Sequence, residues 1–491
     1  MSRKAHSQSE HFTIRGHWWL PITNQRIAGD LRYTEGDLTL SLYEGLNEAH
    51  VESPFSATPT STEFPVILGE TLEAVPVTVL RSFYTKWTPD VRTLAVRPGT
   101  TTAIRSAELH CGWLLEGVHL SSPDETFAKC RVEIPYLEDW LGESPFRAEM
   151  GGEGETVRLD YTRPTNISIE ISATSSALRL IHAVRPPGHP LGTSPTIEHH
   201  TYMEIAPAEP KPINWFVSQA SEIVGLLAVC YGGSLLSRRL TLYKDGPSRA
   251  GALLYYPRHT AEVGPYTAMD FVVRYQQIET GFRQIVENWL GATEAVKGAR
   301  SILLSSERRP SEFIELRFLP LVHAAEVLSG EGPNAAIVPK DTYRDVRDRM
   351  LASLPAGLPG ELIESIRNSL GHANSRTLRR KLLGLLSELG DDTWRLFCTD
   401  REVFIKGVVD TRNHYTHYST GQDRKILQGA DLHWAIQKLS LMLRVVLLVK
   451  AGVPEDTLRS AIRSHHRLRQ ERHVWQTMNE GGSVLSGVDG E

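Results

Sequence analysis

Arginine, asparagine and histidine stand within one short stretch, Asp410-Thr411-Arg412-Asn413-His414-Tyr415-Thr416-His417-Tyr418. An imidazole titrates near neutrality and can take up or release a proton there. A guanidinium is a permanently charged planar fork that pairs with carboxylate or phosphate oxygens and can hold a developing negative charge. Arg412 and His417 together therefore have the parts for proton transfer beside a stabilised oxyanion. Asn413 could orient the imidazole or contact a ligand. The bland alternative is an interior network. In it Arg412 pairs with Asp410 or Glu326, His417 bonds a carbonyl or carboxylate, and Asn413 bridges backbone groups.

These residues need an element to hold them, and the text before them supplies one. Thr399-Asp400-Arg401-Glu402 reads as a capping box, with Thr399 as N-cap and Glu402 reaching back, so a helix is expected to begin there. Residues four apart share a helix face. One row is then Ile405, Val409, Asn413 and His417, and the adjoining row is Phe404, Val408, Arg412 and Thr416. Both rows start apolar and turn polar. A buried polar group without a partner costs about 1–3 kcal/mol, so this stripe either enters a hydrogen-bond network or lines a site.

The chain has 491 residues, enough for about two or three domains with a substantial core. Its composition, 41% apolar and 23% charged, is ordinary for a globular protein. A net charge of −5 excludes binding of nucleic acid through the global field, so any such contact needs a local basic face. The four cysteines, Cys111, Cys130, Cys230 and Cys398, lie far apart and form no CxxC, which points to buried reduced thiols. The polar start lacks a signal-peptide core. The apolar runs 223–231 and 439–449 are read as too short, or interrupted by Arg444, to cross a membrane. His182, His189, Glu198, His199 and His200 are irregularly spaced, and adjacent histidines on a strand face opposite ways, so no metal site is expected.

The expected fold class is α+β. Residues 1–265 show short alternating runs broken by Gly, Pro, Asp and Ser, as in a sandwich or barrel-like antiparallel unit. The runs include 11–16, 38–42, 77–84, 101–107, 113–120, 128–134, 156–161, 167–173 and 177–184. Trp18, Trp19, Trp113 and Trp140 are read as its core or rim. A helix is expected over 213–231, ended by Gly232-Gly233. From 266 to 479 the spacing is helical, at 271–290, 311–328, 343–354, 360–370, 375–389, 400–418 and 431–449, as in a bundle. Pro320 is expected to kink or split its helix, and Asn374 to cap the helix that carries Leu378 and Leu382. The basic stretch 458–475 reads first as a solvated helix face, and residues 480–491 as a disordered tail.

Arg412-Asn413-x-x-x-His417 resembles the Arg-x(4–6)-His signature of HEPN ribonuclease domains. The flanks Val408-Val409-Asp410-Thr411 and Thr416-His417-Tyr418 resemble its ApeA-like branch. The opening Gly16-His17-Trp18-Trp19-Leu20-Pro21, followed by Ile27-Ala28-Gly29-Asp30-Leu31, is similar to the N-terminal domain that accompanies it. The resemblance implies an N-terminal sensing or restraining domain and a C-terminal HEPN bundle. It implies metal-independent cleavage of RNA, with tRNA a common target, in bacterial anti-phage defence. The catalytic residues would be Arg412, Asn413 and His417. Glu326, flanked by apolar residues in 321–328, is the first choice for a polar contributor from another helix, and Tyr418 is a further supporting candidate, although Tyr415 and Tyr418 read first as packing residues. The resemblance further implies no cofactor, a homodimer or larger homo-oligomer, an unknown phage-derived trigger, no membrane, and a bacterial cytoplasmic location. The rival expectation is a non-catalytic RNA- or protein-binding module.

Overall fold

The computed structural model describes residues 11–23, 25–34, 36–53, 56–90, 99–152, 156–185, 196–246, 251–257, 270–308, 313–330, 336–417 and 426–480. The chain folds as two compact units, Met1–Leu226 with Leu235–Pro265, and Leu227–Ser234 with Tyr266–Glu491. The expected tail lies outside the described residues apart from its first residue, Glu480.

The first unit is built on a 12-stranded sheet whose named pairings are antiparallel. Six strands close on themselves in the order Ile104–Glu116, Asp37–Leu42, Ile27–Thr34, Phe12–Trp19, Glu63–Thr71 and Pro76–Pro89, the last pairing back with the first. Of the two all-β forms expected, the barrel is the one found. The period-2 pattern explains it. Phe12, Ile14 and Trp18 turn inward on one strand, Leu38, Leu40 and Leu42 on another, and the positions between them face out. Trp18 is fully buried and its indole N–H donates to the Gly29 carbonyl at 3.1 Å. It lies over Gly69, where a Cβ would come within 2.4 Å of the ring. The expected runs 101–107 and 113–120 lie largely on one 13-residue strand, Ile104–Glu116.

The sheet continues through Ala252–Tyr255, Arg239–Tyr243, Lys129–Glu133, Glu198–Pro207, Ser176–Arg185 and Ile167–Ile171. In this flank Glu204 is buried and meets Lys129, Arg131 and Arg179 at 3.0, 3.1 and 3.2 Å. Burial alone would raise its pKa, but the hydrogen bonds from Lys129, Arg131 and Arg179 outweigh it and hold the carboxyl below its usual range.

The second unit is helical. Gly429–Ala451 is its central helix, buried along most of its length against Phe282–Leu290, Glu294–Arg308 and Ile314–Ser329. Its Arg444 is buried. It donates to the carbonyls of Ala228 and Val229 and pairs with Glu307, which explains a cation inside an apolar run. Ile213–Tyr231 and Gly429–Ala451 have the length and apolarity of a membrane span, yet 61% and 67% of these stretches are buried within the protein. All four cysteines are buried and free.

Several expected elements differ. Pro320 does not split its helix, since Ile314–Ser329 continues through it. Thr377, not Asn374, caps Leu378–Ser387 by accepting from the Arg380 N–H. Asn374 instead exchanges two hydrogen bonds with the Val338 backbone. The expected 271–290 helix is Tyr275–Ile278 and Phe282–Leu290 with a 3-10 turn between them. Glu294–Arg308 is a further helix, not among the expected spans; its Arg300 is buried and donates to the Trp289 carbonyl at 2.7 Å. The stretch 458–475 is divided between two helices, Glu455–Ser464 and His466–Glu480. His465 turns extended there, and its Nδ1 accepts from the Leu468 N–H, ending one helix and capping the next.

Candidate active site

The Arg401–His417 helix carries the motif, and its cap is a correction. Asp400, not Thr399, accepts from the N–H groups of Glu402 and Val403, at 2.8 and 3.1 Å. The Glu402 side chain pairs instead with Arg379 at 2.8 Å. The Asp400 carboxylate carries a full negative charge, which suits the helix N-terminus.

Ile405 and Val408 are fully buried, as their rows require. Gly407 packs against Leu427. One turn later Thr411 is also fully buried, and its hydroxyl accepts from the Leu427 N–H at 2.9 Å. The chain entering the next helix is thus fastened to the motif helix just before its polar segment. Arg412, Asn413, His414 and Tyr415 are then half-buried and Thr416 exposed, so the stripe turns polar where it approaches solvent. The Thr416 hydroxyl donates back to the Arg412 carbonyl.

Three helices meet around Arg412. Its guanidinium donates to Asn413 Oδ1 at 3.2 Å and reaches Glu326 Oε2 at 4.0 Å. Glu326, from Ile314–Ser329, also meets Lys381 of Leu378–Ser387 at 3.3 Å. These helices pack pairwise, so the ion cluster is a product of the bundle. The sequence-predicted Arg412, Asn413 and Glu326 therefore come together. The backbone of His417 lies one turn beyond Asn413 on the same helix; its side chain, and all of Tyr418, lie outside the described residues.

Two further residues belong to this neighbourhood. Lys381 had no signal in the sequence, since it lies 55 residues from its carboxylate. His414 is half-buried beside Tyr415, their rings 5.3 Å apart. Burial, with the negative charge of Glu315 added, raises the Tyr415 pKa, so Tyr415 stays a neutral phenol near neutrality. Asp410 has one buried carboxylate oxygen with no hydrogen-bond partner among the described residues.

Chemically, the cluster is a cation fork held by one carboxylate and one amide oxygen, with an ammonium on the carboxylate's other oxygen. Two cations face one carboxylate, leaving one positive charge in excess. Arg412, Glu326 and Lys381 keep 32%, 30% and 19% of their side chains exposed, so an anion from solvent can reach them.

Elsewhere, His182 is buried, stacked on His199 at 5.4 Å, and bonded through Nδ1 to the Thr201 hydroxyl. His200 is exposed beside Glu198, and His189 lies outside the described residues. Among the described residues no three His, Cys, Asp or Glu side chains are grouped to hold a metal.

Comparison with known families gives two matches. Residues 13–289 match the ApeA N-terminal domain 1, and residues 319–457 match the Apea-like HEPN domain. No curated protein and no solved structure matches.

Proposed function

This chain belongs to the ApeA-like HEPN family of defence proteins, and we propose that its helical unit is a metal-independent endoribonuclease. His417 takes the proton from a ribose 2′-OH. The 2′ oxygen attacks the adjacent phosphorus, and the bond to the 5′ oxygen breaks, that oxygen leaving as a 5′-OH once protonated. The upstream product carries a 2′,3′-cyclic phosphate. Arg412 donates its guanidinium N–H groups to the non-bridging oxygens as charge builds. Asn413 holds the Arg412 fork through its amide oxygen, and Glu326 with Lys381 fixes it from the neighbouring helices. The RNA is tRNA by analogy with the superfamily. The protein works in the bacterial cytoplasm as a homodimer or larger homo-oligomer, and the β-rich domain (1–265) senses a phage-derived trigger and restrains the HEPN domain (266–479).

The observation that carries this reading is the cluster around Arg412, a half-exposed guanidinium with one positive charge in excess. The test is purified protein with labelled total tRNA in EDTA, in the presence of extract from phage-infected cells. Cleavage should persist in EDTA and fall by at least about 10²-fold in Arg412→Ala and His417→Ala, with circular dichroism unchanged. A second reading rests on the ion pair of Arg412 with Glu326, which is also what a structural network needs: the bundle would be a non-catalytic RNA- or protein-binding module. Binding without cleavage in the triggered sample would favour it and sink the first.

A further inference from the structure

A second place in the helical unit gathers two arginines and an indole N–H with no carboxylate among the residues that line it. It is a small cleft lined by Arg395, Cys398, Thr399, Arg472 and Trp475, with Leu396 and Phe397 behind. Its cavity is about 10 Å³, room for a single oxygen atom. Trp475 is 4% exposed, and its buried indole N–H has no acceptor among the described residues. The ring is fixed by its neighbours, with the Lys438 ammonium 5.6 Å from its centroid and the Trp434 ring at 6.4 Å. An unpaired buried donor costs about 1–3 kcal/mol unless something accepts from it.

The charges point the same way. Arg472 forms no ion pair among the described residues, and its pKa is lowered first by burial and then by the like charge of Arg463. Two other arginines of this segment are neutralised: Arg459 by Asp456, and Arg467 by Glu471. Arg395 pairs with Asp392 at 4.0 Å, lies over the Trp394 ring at 5.2 Å, and keeps 58% of its side chain exposed. Among the described residues no carboxylate lines the cleft. Arg472 and Trp475 come from the His466–Glu480 helix, beyond the residues that match the HEPN domain. The basic stretch read from sequence as a solvated face therefore contributes two side chains to a recess that no carboxylate lines.

We infer that this cleft binds a phosphate group, one oxygen entering the recess toward the Trp475 side and the others meeting Arg472 and Arg395 at its mouth. In a protein that cuts RNA this is a docking point for a backbone phosphate away from the Arg412 cluster, so the RNA form of the inference rests on the proposed function. The two can fail separately, because binding is measured here on RNA that cannot be cut.

The experiment uses the full chain and a fully 2′-O-methylated, fluorescein-labelled RNA, which has no 2′-OH to attack. Anisotropy is followed over a salt series for wild type, Arg472→Gln and Trp475→Phe; the second variant keeps an aromatic ring and removes the N–H. Arg472→Gln should weaken binding by about tenfold and lower the log–log salt slope by about 1, and Trp475→Phe should weaken it several-fold. A parallel arm measures the melting temperature in inorganic phosphate against chloride of equal ionic strength. Phosphate stabilisation lost in Arg472→Gln, with RNA affinity untouched, identifies a free phosphate or nucleotide as the ligand and overturns only the RNA form. If neither RNA affinity nor phosphate stabilisation changes in either folded variant, the recess holds water and the inference is wrong.

Discussion

At the scale of single residues, Glu326 organises the candidate site, because both cations close on it. Its bond with Lys381 is only partly exposed, so coupling should be measurable. A double-mutant cycle of Glu326→Gln and Lys381→Met, read by urea unfolding, should give about 0.5–1 kcal/mol. A coupling of zero would mean the pair does not hold the helices or Arg412 in place. The cysteines make a second residue-scale prediction. Burial pushes the thiols of Cys111, Cys230 and Cys398 up to about 12, and that of Cys130 higher still. The thiolate is the reactive form. Iodoacetamide at pH 8 should leave all four unlabelled in the native protein and label all four after denaturation, as read by mass spectrometry. Rapid native labelling of Cys398, which lines the Arg472 cleft, would show that segment opening.

At the scale of elements, helix ends decide where the motif falls. With Asp400 as the cap, Asp400→Ala should cost about 1 kcal/mol of stability and Thr399→Ala much less. The reverse order in thermal melts would restore the cap expected from sequence. At the C-terminus of the central helix, Gly429–Ala451, Gly452 has φ +98°, and a Cβ there would lie 3.0 Å from the Asn288 amide nitrogen. Gly452→Ala should cost about 1 kcal/mol or more. Sequence rules are sharper at a C-terminus such as this one, because a left-handed C-cap nearly demands glycine. They misplaced two N-caps because Ser, Thr, Asp and Asn all serve there, and neighbouring candidates differ by little.

At the scale of the whole molecule, the described groups with carboxylates held low and histidines kept neutral lie in the β unit. Burial lowers the pKa of His182, and so does the charge of Arg163; burial and His182 do the same to His199. Glu204 and Glu125 are held below their usual range. For each of these the folded pKa lies below the unfolded one. The stability each supplies is therefore present above the unfolded pKa and lost as pH falls toward the folded value. The histidines act from about pH 6.5 downward and the carboxylates below about pH 4.5. Hydrogen-exchange protection in Ser176–Arg185 and Glu198–Pro207 should consequently fall between about pH 7 and 5 before that of Ile314–Ser329 and Gly429–Ala451. Simultaneous loss in both units would contradict this assignment.

The sequence by itself determined what depends on near neighbours. Alternation marked the strands, three-to-four spacing marked most helices, and Asn413 and His417 fall on one row, with Arg412 on the adjoining one, because a helix repeats about every 3.6 residues. Tertiary structure decided what depends on residues far apart. Closing six strands into a barrel needs Ile104–Glu116 to pair with Pro76–Pro89 on one side and Asp37–Leu42 on the other, and no local pattern specifies both. Buried cations such as Arg300 and Arg444 read as interruptions until a carbonyl or carboxylate from another segment meets them. The same holds for Arg412. Its place on the helix is local chemistry, whereas its company of Glu326 and Lys381 exists only because three separate helices pack side by side.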